Sequence, residues 1–212
     1  GPNGSTNREP IMEARLITLP TTTPVSLQEA KDHLYLTADT YNDDLARKLD
    51  EAVDYCQRRI GGRRQFCAAT YDLILDAFPD DGVDDRITLP YPPLKNVSSI
   101  RYYNSTGGQS YCGSSGGSTG SSTAWVQVIP GERPGYVAPA FGKVWPTTRV
   151  RPDAVTVRFV AGSTSPTTIP PSLTAAAKLK LQHLCAPERI EETTQEKAID
   201  NLLGCNDYGH YA

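Results

Sequence analysis

Methionine occurs once and histidine three times in the 212 residues, and the five cysteines (Cys56, Cys67, Cys112, Cys185, Cys205) form no C-x-x-C pair. No two of His33, His183 and His210 are spaced as a helical metal pair such as H-E-x-x-H, which argues against zinc. An odd, scattered set of thiols does not suit a disulfide framework, so the expected setting is a reducing one. No apolar run approaches the length of a membrane span, and no charged start with an apolar core reads as a signal peptide. Neither a membrane partner nor export is expected. A dominant charge sign is missing too: the formal net charge is −3. Without a global positive field to neutralise phosphates and release counterions, a dedicated DNA binder is disfavoured.

The chain is long enough to bury a real core without metals or disulfides. Its hydrophobic share of 38 % is a little polar for a compact monomer, which fits a chain with surfaces left for partners. Residues 1–23 open without a sustained apolar period and read as a flexible leader.

The first clear element starts at Ser26. Ser26-Leu27-Gln28-Glu29 is a capping box, in which the hydroxyl accepts the amide of Glu29 and the carboxylate reaches back. Leu27, Ala30 and Leu34 follow at helical spacing. A second start at Asp39 or Thr40 leads into Leu45, Leu49, Ala52, Val53, Cys56 and Ile60, an apolar stripe along one helix face. Gly61 and Gly62 are expected to close that helix. Arg58, Arg59, Arg63 and Arg64 at its end follow an acidic stretch and read as ion-pair partners.

Beyond Phe66 the period changes to that of strands. Tyr71 to Asp76 alternates, Ile87 to Leu89 is short, and Val97 to Tyr103 is rich in β-branched and aromatic residues. Further strands are predicted at Trp125 to Ile129, Gly135 to Ala138 and Ala154 to Ala161. Residues 105–123, mostly Ser and Gly, read as a long hairpin tip. Helix returns after Pro170 and Pro171 with Leu173, Ala177, Leu181 and Leu184. The pattern Thr193-Thr194-Gln195-Glu196 suggests one more cap, ahead of Ala198, Ile199, Leu202 and Leu203.

Neither helical pair can bury its stripe alone. The predicted fold is therefore α+β: a small bundle from residues 24–66 and 167–203, an inserted antiparallel β subdomain over 67–166, and a tail over 204–212. The expected bundle core is Leu27, Leu34, Leu45, Leu49, Val53, Cys56, Ile60, Leu173, Ala177, Leu181, Leu184 and Leu202.

Chemistry-bearing patterns are weak. Cys185 could meet His183 or His33 as a nucleophilic pair, yet helix positions two apart point to different faces. Asp76, Asp80, Asp81, Asp84 and Asp85 lack the ligand spacing of a calcium loop. Gly113 to Gly120 lacks the lysine and helix of a phosphate-binding loop. Trp125, Trp145, Tyr102, Tyr103, Tyr136 and Phe141 could form an aromatic platform for carbohydrate or a host surface, although their dispersion favours core and contact roles. No catalytic, cofactor or metal residues are assigned.

The order of segments carries more than any one of them. Pro24-Val25-Ser26-Leu27-Gln28-Glu29-Ala30-Lys31-Asp32-His33-Leu34 and then Asp43-Asp44-Leu45 lead a long helix to Gly61-Gly62-Arg63. Tyr71 to Pro79, Ile87 to Leu94, Val97 to Tyr103, and Val155 to Gly162 before Ile169-Pro170 follow in turn. This series, over Pro24 to Leu203, resembles the head-tail connector (adaptor, or head-completion) family of tailed bacteriophages and gene transfer agents. The Ser/Gly-rich loop and the turn around Gly131 to Trp145 depart from the family pattern.

The resemblance implies a non-enzymatic virion protein without cofactors, present in the host cytoplasm during assembly. It implies a ring of identical subunits, commonly twelve, between the portal protein and a tail-side neck or stopper protein, with genomic DNA passing through the channel. It also implies that the C-terminal segment, including Asp207, Tyr208, His210 and Tyr211, engages the portal. A short aromatic tail after a helix suits that role, because aromatic groups anchor well in a partner's groove.

Overall fold

The computed structural model describes residues 12–60, 64–79, 85–112, 125–131, 133–186 and 192–204. The elements run β1 (Met12–Thr18), α1 (Leu27–Leu34), α2 (Asn42–Arg59), β2 (Ala69–Leu75), β3 (Ile87–Thr88), β4 (Leu94–Tyr103), β5 (Gln109–Tyr111), β6 (Val126–Ile129), β7 (Tyr136–Pro139), β8 (Val155–Ala161), a short 3-10 turn, α3 (Pro171–Cys185) and α4 (Glu192–Gly204). The class is α+β, as expected.

Local chemistry starts the helices. The Ser26 hydroxyl accepts the Glu29 amide at 3.2 Å, and Glu29 Oε2 accepts the Ser26 amide at 2.8 Å, so the capping box of α1 is complete. These bonds hold the Glu29 carboxyl below its ordinary value, the Ser26 amide being the main cause. Tyr35 then turns the chain in the left-handed conformation, φ 57°. The first turn of α2 is tied back by Asp39, which accepts both Lys31 Nζ at 2.5 Å and Asn42 Nδ2 at 3.2 Å. Lys31 is buried, and its ammonium reaches an exposed carboxylate. At the other end Ile60 is extended, so α2 has ended before the glycines predicted to close it, which lie outside the described residues.

Front and rear helices pack together. One cluster joins Cys56, Ile60, Leu173, Ala177 and Ile199 with Phe66; a second joins Val25, Ala30, Leu45, Leu49, Ala52 and Leu181. Val53 borders both clusters. Of the expected core, Leu45, Leu49, Cys56, Ile60, Leu173, Ala177 and Leu181 are buried. Leu27, Leu34, Val53, Leu184 and Leu202 are partly buried at the edges of the same clusters.

The β part is two sheets around one core. The larger has the order β1-β2-β8-β4-β5 and the smaller β3-β7-β6. In β8 every second residue is buried, with Val155, Val157, Phe159 and Ala161 facing inward. Those four lie opposite Leu75, Leu73, Tyr71 and Ala69 of β2. Ile87 and Val137 from the smaller sheet, with Leu89 just beyond β3, close the same core. On the outer face Arg158 makes a two-point pair with Asp72, at 2.7 and 2.8 Å.

Three expectations need correction. Residues 12–18, read as part of a flexible leader, form β1, antiparallel to β2 from Met12↔Leu75 to Thr18↔Thr70. The β unit is thus not a simple insertion between helices: α1 and α2 are themselves an excursion between two neighbouring strands. Within the supposed hairpin tip at 105–123, Gln109–Tyr111 is strand β5, paired with Arg101 to Tyr103. Asn104 sets that turn by accepting the Gly108 amide on its side chain at 2.9 Å. Finally, α4 is already helical at Glu192, so Thr193 is not its N-cap; Glu196, its partner in the predicted box, accepts the Tyr55 hydroxyl at 3.3 Å, and Gln195 donates to the Leu179 carbonyl at 2.5 Å.

Candidate assembly surfaces

Two places tie distant elements together: the joint between bundle and sheets, and the helical face against α4. At the joint, Gln65 is buried and makes three hydrogen bonds. Its amide donates to the Pro92 carbonyl at 2.9 Å, its Nε2 to the Cys67 carbonyl at 2.9 Å, and its Oε1 accepts the Tyr71 hydroxyl at 2.8 Å. The strand exit after β8 runs alongside. Gly162 donates to the Pro93 carbonyl and Ser163 to the Phe66 carbonyl, at 2.8 and 2.9 Å. Glycine is required there, since φ is +96° and an added Cβ would lie 2.4 Å from the Cys67 carbonyl oxygen. Tyr71 lies between the Tyr91 and Phe159 rings, 4.6 and 5.7 Å away. Burial pushes the Tyr71 phenol up to about 12, so it stays a neutral donor to Gln65.

The second place is a cleft of about 490 Å³ lined by Glu51, Asp54, Tyr55, Arg58, Arg59, Lys180 and Leu184. Lys180 of α3 sits 4.1 Å from the Tyr55 ring centre and Arg59 5.5 Å from it. The Tyr55 hydroxyl donates to Glu196 of α4 at 3.3 Å. Arg59 makes a two-point pair with Asp200 of α4, at 2.5 and 2.9 Å, which raises the guanidinium and lowers the carboxyl from their ordinary values. Of the basic cluster predicted to pair, Arg59 pairs with Asp200 and Arg58 with Asp54. Arg64 is buried near the joint, and Arg63 lies outside the described residues. Spacing marked Arg59 as a helix-end cation, but no local signal names a partner in α4. The portal-binding residues implied by the resemblance, Asp207, Tyr208, His210 and Tyr211, also lie outside the described residues, immediately after the helix that this cluster holds.

No catalytic constellation assembles among the described residues. Cys56 sits in the bundle core, where burial pushes its thiol up to about 12; burial likewise raises Cys185, packed at the edge of the second helical cluster. A thiol raised by burial is a poor nucleophile. No group of three or more His, Cys, Asp or Glu among the described residues could hold a metal ion. Asp80, Asp81, Asp84 and Gly113 to Gly120 lie outside them. Asp76 accepts the Asp153 amide at 3.4 Å.

The six aromatics do not form one platform. Trp145 stacks on Phe78 at 4.5 Å and donates to the Asp85 carbonyl at 2.7 Å. Tyr102 meets Phe78 edge-on. Guanidinium groups of Arg151 and Arg86 cover Tyr103 and Tyr136. Only Trp125, beneath Lys143, and Phe141 are presented to solvent.

This α+β arrangement, helices clustered on a two-sheet β unit, has counterparts among solved structures. A chain from the neck of an empty gene transfer agent (GTA) particle computed with C6 symmetry superposes with a TM-score of 0.72 at 18 % identity, over 94 % of this chain and 97 % of that one. A chain from the virion of a native GTA particle gives 0.71 at 18 %, and one from the neck of a native GTA particle computed with C12 symmetry gives 0.68 at 17 %, with the same coverage. At such identities the likeness is one of fold, and it agrees with the resemblance read from the segment order. No family model matches the sequence, and no curated protein matches it significantly.

Proposed function

We propose that this protein is a structural virion component, an adaptor that joins the portal vertex of a phage-like particle to its tail or neck. The observation that carries the reading is the shared fold with GTA neck chains over nearly the whole length of both partners. In this reading identical subunits form a ring, twelve in number, between the portal protein and a tail-side stopper protein. DNA passes through the centre without sequence-specific contacts, which suits a chain of net charge −3: a strongly basic lumen would retain the polymer it must release. No enzymatic step is assigned.

Portal binding is assigned to residues 205–212, with Asp207, Tyr208, His210 and Tyr211 as the anchors. In support, this segment follows α4 in the chain, and α4 is tied to α2 by the Tyr55–Glu196 hydrogen bond and the Arg59–Asp200 pair. The test is a pull-down with the portal protein of the same particle. Deleting Cys205 to Ala212 should leave the circular-dichroism spectrum and melting midpoint unchanged and abolish portal capture. Capture at the full-length level by the truncated chain would overturn the assignment.

A further inference from the structure

Strand β1 is an edge with two unmet demands. Its inner-face residues Met12 and Leu16 lie opposite Leu75 and Tyr71 of β2. Those β2 partners are 6 % and 8 % exposed, whereas Met12 and Leu16 are 58 % and 46 % exposed. The smaller sheet covers β2 but stops short of β1, from which only Ala14 packs on the shared core. The larger sheet therefore overhangs. Along its outer side β1 pairs with no strand among the described residues, leaving a row of backbone donors and acceptors open to another strand. From Met12 to Leu16 the edge is regular: the strand contains no proline, its two charges, Glu13 and Arg15, neutralise each other at 2.9 Å, and the one irregularity in its register with β2 falls beyond, between Leu16 and Thr18.

We propose that β1 pairs with β1 of a second copy of this chain, antiparallel about a two-fold axis at Ala14, to form one continuous sheet across a homodimer. The residue order makes the strand complementary to itself. Centred on Ala14, the pairing sets Met12 opposite Leu16, Glu13 opposite Arg15, and Ala14 opposite Ala14. Apolar side chains then meet on the inner face and opposite charges on the outer face, both favourable cross-strand pairings. Neighbouring registers that keep the apolar face continuous centre on Glu13 or Arg15 and set like charges opposite each other. A one-residue slip turns the apolar row to the wrong face. The other open edge, Gln109–Tyr111 of β5, is too short to satisfy β1 along its length, which favours the symmetric pair over a head-to-tail chain of sheets. A single strand pair buries less than the roughly 1,200 Å² of a stable interface, so the dimer is a reversible one. This inference does not depend on the neck reading.

Charge reversal tests it, using the full chain in sedimentation velocity at low ionic strength, where surface charges are least screened. The wild type should shift from monomer toward dimer with rising concentration. E13R and R15E should each associate at least tenfold more weakly, because like charges then oppose across the axis. An equimolar mixture of the E13R chain with the R15E chain should recover dimer, as two arginines on one strand meet two glutamates on the other. The double variant E13R/R15E should dimerise like the wild type. Circular dichroism of each variant keeps misfolding separate from loss of association. A wild type that stays monomeric throughout, a species larger than a dimer, single variants that associate undiminished, or a mixture that does not recover would each overturn the proposal.

Discussion

Arg59 and Asp200, 141 positions apart in the chain, meet in a two-point ion pair that fastens α4 to the end of α2. Both side chains are more than one-third exposed, so solvent screens the pair and it contributes no more than about 1 kcal/mol. Asp200→Asn should therefore lower stability by that amount or less at neutral pH. The carboxyl is held below its ordinary value in the folded chain, so its contribution is present above the unfolded value of about 3.9 and is lost as pH falls through the folded one. Urea midpoints of the wild type and the variant should converge on acidification below about pH 4. A difference that persists or grows there would refute the assignment.

Gly162 stands where the strand exit crosses the Gln65–Cys67 segment. Gly162→Ala should cost at least about 2 kcal/mol, since the new methyl meets backbone and the left-handed φ is strained for any side chain. Equilibrium denaturation measures it, and a near-neutral result would mean the crossing is looser than its hydrogen bonds indicate.

Leu181 is fully buried where α3 meets α1 and α2. Leu181→Ala should remove roughly 2–5 kcal/mol, the range for a buried leucine whose site cannot collapse. Loss of less than 1 kcal/mol in a thermal or chemical melt would argue that the two helical pairs do not share this core.

Ser26→Ala removes the hydroxyl that accepts the Glu29 amide and should cost about 1 kcal/mol. Ser26→Gly should cost only a few tenths, because a glycine leaves the amide open to water. Equal losses in the two variants would point to something other than the cap.

Much of this architecture is legible in residue order because it is encoded locally. Ser26 and Glu29 define their cap within four residues, and the stripe from Leu45 to Ile60 defines the buried face of α2. The alternation of Val155, Val157 and Phe159 defines β8 in the same way. Other features are set by distant partners. Met12 to Leu16 alternates apolar and polar, a strand signal of five residues hidden in a stretch without a sustained apolar period, and β2 gives it a ladder. Gln109–Tyr111 sits in a Ser- and Gly-rich stretch and is strand only because Asn104 closes a tight turn onto β4. Thr193 resembles a cap locally, yet the helix begins earlier and Gln195 reaches the Leu179 carbonyl of α3. The site is split likewise: Arg59 reads as a cation at a helix end, but Asp200 and the Tyr55–Lys180 contact emerge only when three helices meet.

The exposed margin of β1 bears on timing as well as on contact. A two-fold axis turns its two members in opposite directions, whereas every member of a cyclic collar points the same way. A chain held by its sister through Met12–Thr18 must let go before it takes a place in such a collar. The free chain's concentration, and not the partner vertex alone, would then set when building can begin.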